Sequence, residues 1–141
     1  MASTVESRLN EMGITVPDAP APAANYVPWV KSGNMIHVAG QVPFVDGKLN
    51  ATGHLGDNAS VDDGYEQAKI CAINLIAQVK AACNGDLDRV VRVVKLGGFV
   101  ASTPDFTQQP TVVNGASDLM VAAFGDAGKH ARFAVGSSVL P

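Results

Sequence analysis

The sequence predicts an α+β domain with element order β-β-α-β-α-β, a mixed sheet carrying both of its helices on one face. Three observations predict it. Residues 26–31 and 34–42 flank the turn dipeptide Ser32-Gly33, the mark of a hairpin. Two later segments, 61–83 and 110–124, repeat apolar residues at spacings of three and four. Each of these is followed by a strand pattern, 88–101 and 130–139. Because both helices lie in β-to-β connections, they are expected to cover the same side of the sheet. At 141 residues, 47% apolar and 16% charged, the chain is one domain's worth and rich enough in apolar residues to build a core. A net charge of −3 supplies no basic surplus to attract a phosphate backbone, which disfavours nucleic acid as a partner. So few charges also hint at surface hidden in an oligomer.

The N-terminal segment 1–13 reads as a short helix, with Val5, Leu9 and Met12 at helical spacing and Gly13 as its stop. Residues 16–25, VPDAPAPAAN, are too rich in proline for a packed element, so 1–24 reads as an extension draped on a domain of 25–141. No apolar run reaches membrane-spanning length, and the N-terminus lacks a hydrophobic signal region, so a cytoplasmic location is expected. In the second hairpin strand Ile36, Val38 and Gly40 share one face, and Met35, His37, Ala39 and Gln41 the other. A glycine-containing loop follows. In helix 61–83 the stripe runs Val61, Tyr65, Ala68, Ala72, Leu75, Val79, Ala82, with Ser60 and Asp63 as a capping pair and Asn84-Gly85 as the stop. Strand 88–101 is apolar on both faces, with Val90, Val94 and Leu96 on one and Val91 and Val93 on the other. One covering helix buries only one side, so such a strand needs a second cover, from another helix or another subunit. Gly97-Gly98 suggests a bulge. Pro110 suits the first turn of the second helix, Val113, Ala116, Met120 and Ala123 form its stripe, and Gly125 ends it.

Common catalytic apparatus is absent: there is no GxSxG, HExxH, Walker A or GxGxxG pattern. His37, His54 and His130 have no metal-ligand spacing and read as structural or solvated, so neither a metal nor a cofactor is expected. Cys71 and Cys83 lie about 18 Å apart along one helix, too far for a disulfide, and read as buried thiols in a reducing compartment. The last strand is more informative. His130, Arg132 and Ala134 alternate onto one face, with Ala131, Phe133 and Val135 on the other. A guanidinium among small and apolar neighbours calls for a planar anion. It binds either a ligand carboxylate or an acidic side chain of this chain or a neighbour.

These residues also carry a resemblance. HARFAVGSSVLP resembles the C-terminal signature of the RidA/YjgF family of reactive-intermediate (enamine/imine) deaminases. Tyr26-Val27 followed by SGNMIHVAGQVP resembles that family's opening hairpin, and Asp105-Phe106 with Val113-Asn114 resembles its motif around the second helix. The likeness covers residues 24–141. It implies a chorismate-mutase-like fold, a homotrimer whose sheets pack toward a central barrel, and clefts between subunits that bind small 2-imino or 2-oxo carboxylates. By the same likeness Arg132 is the carboxylate-binding arginine, Tyr26 lines the cleft, Asn114 lies near it, and Gly40 and Ala134 contribute backbone. Tyr26 either donates to developing charge or packs, and Asn114 either touches ligand or holds the helix-to-strand junction. Family members continue into a further strand whose glutamate positions the attacking water. No acidic residue follows Arg132 here, and TQQP is additional after Phe106. Three activities are therefore expected to compete: imine/enamine hydrolysis, non-catalytic binding of a small carboxylate, and the ribonuclease or translation-inhibitor activity also linked to the family.

Overall fold

The computed structural model of the chain describes residues 3–141. Its elements run α1 (Thr4–Glu11), β1 (Trp29–Ser32), β2 (Met35–Val38), β3 (Phe44–Val45), β4 (Lys48–Leu49), α2 (Val61–Ala82), β5 (Lys95–Ala101), α3 (Gln109–Phe124) and β6 (Ala131–Ser137). This is the expected α+β order, preceded by the expected short N-terminal helix, with a small hairpin added. The strands pair as three ladders: β1 with β2 and β3 with β4 antiparallel, β5 with β6 parallel. The mixed sheet thus consists of separate pairs, with no ladder among the described residues joining the first hairpin to β5 and β6. The first hairpin lies on α2, β5 and β6 lie on α3, and the two helices pack on each other.

Local chemistry explains the helix limits. Ser3 caps α1, accepting from the Glu6 N–H; the first two residues of the expected helix lie outside the described residues. The α1 N-terminus gains a second acceptor from elsewhere in the chain. The Asp88 carboxylate accepts from Thr4 N–H at 2.8 Å and Val5 N–H at 3.1 Å. Val5 and Leu9 are buried in the cluster that holds Ile76, Leu87 and Leu119, whereas Met12 is exposed. At α2, Ser60 and Asp63 make the reciprocal capping box. Asn84 and Gly85 take left-handed backbone angles at its end, and the Gly85 N–H returns to the Lys80 carbonyl. In α3 the expected stripe of Val113, Ala116, Met120 and Ala123 is buried, and Gly125 ends the helix at φ +64°.

Several expectations are corrected. Helix α2 is buried around more of its girth than its stripe indicates, because α3 packs on one side and chain segments before it cover the other. Asn74 and Gln78 lie inside. The Asn74 amide donates to the carbonyls of Val42 and Phe44, and that of Gln78 to Pro20, so two polar side chains tether the chain segments that precede α2. Cys83 is the residue that caps α2, and both cysteines are free. The glycine-containing loop contains the β3–β4 hairpin, turned by Asp46-Gly47 at φ 51° and 77°.

The valine segment 88–101 is not one strand. A 3-10 turn covers Leu87–Arg89, and strand structure begins at Lys95. Val90 and Val93 pack on the core while Val94 is half exposed, so Val94 does not share a face with Leu96. The segment before Lys95 follows the core at a spacing of three, and alternation starts only where β6 supplies a ladder. Gly97-Gly98 forms no bulge and stays in register with Phe133 and Ala134. Glycine is required there for space. A Cβ on Gly97 would lie 2.5 Å from the Phe133 ring, and one on Gly98 would lie 2.5 Å from Val113.

Candidate functional site

The site grows from the pairing of β6 with α3. Alternation along β6 turns Arg132 and Ala134 toward the helix layer and Phe133 and Val135 away from it. Ala134 packs with Val100, Val112 and Val113, and its small side chain lets α3 lie close to the strand. Arg132 then runs along α3. Its Nη1 donates to Asn114 Oδ1 at 2.8 Å and to Ser117 Oγ at 3.0 Å, and its Nη2 donates to the Pro110 carbonyl at 3.2 Å. Pro110, Asn114 and Ser117 sit at spacings of four and three, one stripe of the helix.

All three acceptors are neutral. Among the described residues the ion pairs are Glu6–Lys80 and Asp126–Lys129, and Arg132 belongs to neither. The carboxylate nearest in sequence to this stripe, Asp118, is engaged elsewhere. It accepts from the Tyr65 hydroxyl at 2.7 Å, and that bond raises the Tyr65 pKa. Arg132 therefore keeps an uncompensated positive charge. A guanidinium has five N–H groups, so two remain after these three bonds, enough for a bidentate carboxylate.

Of the other expected site residues, Asn114 is brought into direct contact with Arg132, and Ala134 shares its strand face. Tyr26 and Gly40 flank the first hairpin, which packs on α2, and no hydrogen bond links either to Arg132 within the described chain. The Tyr26 side chain is half exposed, and its hydroxyl accepts from the Ala23 N–H at 3.3 Å. Ser117 and the Pro110 carbonyl were not found from sequence. Their signal was present in the helical spacing from Asn114 but carries no distinctive residue type. His130 is also at the site: its Nε2 lies 2.9 Å from Ser117 Oγ and its Nδ1 lies 2.6 Å from the Gly128 carbonyl.

Two open clefts lie elsewhere, at the C-terminal ends of β5 and β6. One, of about 300 Å³, is lined by Ser102, Gln109, Gly136, Ser137 and neighbouring residues. The other, of about 160 Å³, is lined by Gly56, Thr103, Asp105 and Phe106 among others. The Thr103 hydroxyl donates to Asp105 there at 2.7 Å and lowers the Asp105 pKa. Neither cleft is lined by Arg132, Asn114, Tyr26 or Gly40, and Arg132 itself is partly buried against α3. Burial pushes the Cys71 thiol up to about 11, which makes it a poor nucleophile at neutral pH. Among the described residues no cluster of His, Cys, Asp or Glu could hold a metal ion, and no helix is long and apolar enough to cross a membrane.

Comparison with known proteins gives a consistent result. Protein TCP17 of Trypanosoma cruzi is 50% identical over 138 residues, 97% of this chain and 86% of that protein. The crystal structure of Atu1372 from Agrobacterium tumefaciens, a protein of unknown function, matches with a TM-score of 0.91 and 48% identity. That match covers 98% of this chain and 85% of the other. A structure from Shewanella oneidensis matches with a TM-score of 0.94 and 36% identity over 99% of this chain and 91% of its own. The family described as "YjgF/chorismate mutase-like, putative endoribonuclease" matches residues 6–141, and the Shewanella protein carries the same endoribonuclease description. The chain belongs to the YjgF family and has its chorismate-mutase-like fold.

Proposed function

We propose that the protein hydrolyses small 2-imino acids, in exchange with their 2-enamino tautomers, to 2-oxo acids and ammonia. The observation that carries this reading is the Arg132 side chain, seated on three neutral acceptors with two N–H groups and a full charge to spare. Arg132 clamps the substrate carboxylate and so fixes the adjacent imine carbon. Water adds to that carbon, the C–N bond breaks, and the nitrogen leaves as ammonia. The reaction needs orientation more than a strong catalyst, and holding the reactants in place supplies a large part of such a barrier. Tyr26 and Gly40 complete the pocket from a neighbouring subunit of a homotrimer. In its support, Phe99, Phe133 and Val135 stand exposed on the face of β5 and β6 away from the helices. The free cysteines accord with a cytoplasmic location.

The test uses 2-iminobutanoate generated in place by an amino acid oxidase, with its decay followed optically. The protein is expected to speed the decay, and Arg132→Ala is expected to abolish the effect while leaving the oligomer intact. Equal ammonia release by the variant removes Arg132 from the mechanism. A second reading, non-catalytic binding of a small carboxylate, is favoured by the absence of any acid among the hydrogen-bond partners of Arg132. It predicts binding of 2-oxobutanoate without turnover of the imine. Ribonuclease activity, suggested by the family description, finds no support in a chain of net charge −3. RNA cleavage lost on Arg132→Ala would restore it.

A further inference from the structure

We infer that Ser117 and His130 are positioning residues that set the plane of the Arg132 guanidinium, an inference that rests on Arg132 being the carboxylate-binding group. The argument follows hydrogen atoms. The Gly128 carbonyl can only accept, so its 2.6 Å contact places a hydrogen on His130 Nδ1. A neutral imidazole then presents only a lone pair at Nε2. Ser117 Oγ, 2.9 Å away, must give its single hydrogen to that lone pair. With the hydrogen committed, the hydroxyl faces Arg132 purely as an acceptor and takes an Nη1–H at 3.0 Å. Asn114 Oδ1 takes the second Nη1–H, and the Pro110 carbonyl holds Nη2. The origin of the chain is itself fixed. Gly128 lies so close to α3 that a Cβ there would come within 2.1 Å of the Met120 carbonyl oxygen.

A carboxylate in this position would anchor the guanidinium more strongly but would cancel its charge. The relay of carbonyl, imidazole and hydroxyl orients the guanidinium and leaves the charge for the ligand. The same geometry argues against Ser117 as a nucleophile, although a serine and a histidine within hydrogen-bond reach resemble a catalytic dyad. Arg132 donates into the oxygen that would have to attack, and so withdraws the electron density that attack requires.

The test reads the side chain directly. In the intact protein, nitrogen-15 spectra are expected to show distinct, slowly exchanging Nη signals for Arg132. Ser117→Ala and His130→Phe are expected to average those signals. Each is also expected to weaken 2-oxobutanoate binding about tenfold and to lower kcat for the imine as well as raise KM, since a loosened clamp loses orientation along with binding. Ser117→Thr, which keeps the hydroxyl, is expected to restore both. Retention of distinct Nη signals in both deletion variants overturns the inference, whatever their affinity. If the wild-type protein binds no 2-oxobutanoate, the carboxylate reading of Arg132 falls instead, and the Nη signals still decide whether Ser117 and His130 hold the side chain.

Discussion

The guanidinium of Arg132 meets neutral acceptors on one stripe of α3. Three neutral acceptors use its hydrogen-bonding directions without touching its charge. Asn114→Ala, which deletes the acceptor at 2.8 Å, is expected to weaken carboxylate binding by about tenfold or more, in line with roughly 1.5–3 kcal/mol for a hydrogen bond to a charged group. Calorimetric titration with 2-oxobutanoate checks it. A second prediction concerns Asp88. The N–H groups of Thr4 and Val5 hold its carboxyl below the usual carboxylate range. Its folded pKa is therefore lower than its unfolded one. The stability it lends is present above the unfolded value, about 4, and is lost as pH falls through the folded value. Asp88→Asn should melt below the wild type at pH 7, and the gap in Tm should close on acidification toward pH 3.

At the scale of elements, the sequence made some features plain and hid others for physical reasons. The caps of α2, the stripe of α3 and the alternation of β6 were legible because each depends on residues adjacent in the chain. The limits of the valine segment were not. Val90 to Val94 carry strand propensity, yet a strand exists only where a partner offers a ladder, and β6 begins opposite Lys95. Gly97-Gly98 suggested a bulge because the ring and the helix that need its space are distant in sequence. The hairpin at Asp46-Gly47 carries a turn signal, but its two-residue strands are too short to show an alternation. Arg132 stood out as a charge in an apolar strand, whereas its partner Ser117 did not, since a serine within a helix gives no sign of what it accepts.

Two tests belong to this scale. Gly115 lies where α3 crosses α2, and a Cβ there would meet the Tyr65 carbonyl oxygen at 2.0 Å. Gly115→Ala is expected to cost at least about 1–3 kcal/mol, the usual range for overpacking, visible as a lower urea midpoint. Leu9 is fully buried, so Leu9→Ala should cost about 2–5 kcal/mol if α1 folds with the rest of the chain. A loss near zero would show that α1 is only draped on the domain.

For the whole molecule, the decisive feature is the face left without cover. Phe99 and Phe133 meet edge to face at 5.4 Å, and Lys95 stands 5.5 Å over the Phe133 ring, all on the side of β5 and β6 that no helix covers. An aromatic pair left in water forgoes the burial that large side chains usually gain. On the trimer reading, Phe99→Glu should convert the oligomer to monomer, as read by light scattering on a sizing column. It should also lower imine hydrolysis, because the two halves of each pocket would part. An unchanged mass would remove that face from the assembly. Whether Arg132 grips a small carboxylate is decided by calorimetric titration of 2-oxobutanoate into the wild-type protein and Arg132→Ala. Saturable binding by the wild type is expected, with a loss of at least about tenfold in the variant and its oligomeric state unchanged. Equal affinity in the two proteins would contradict such a grip.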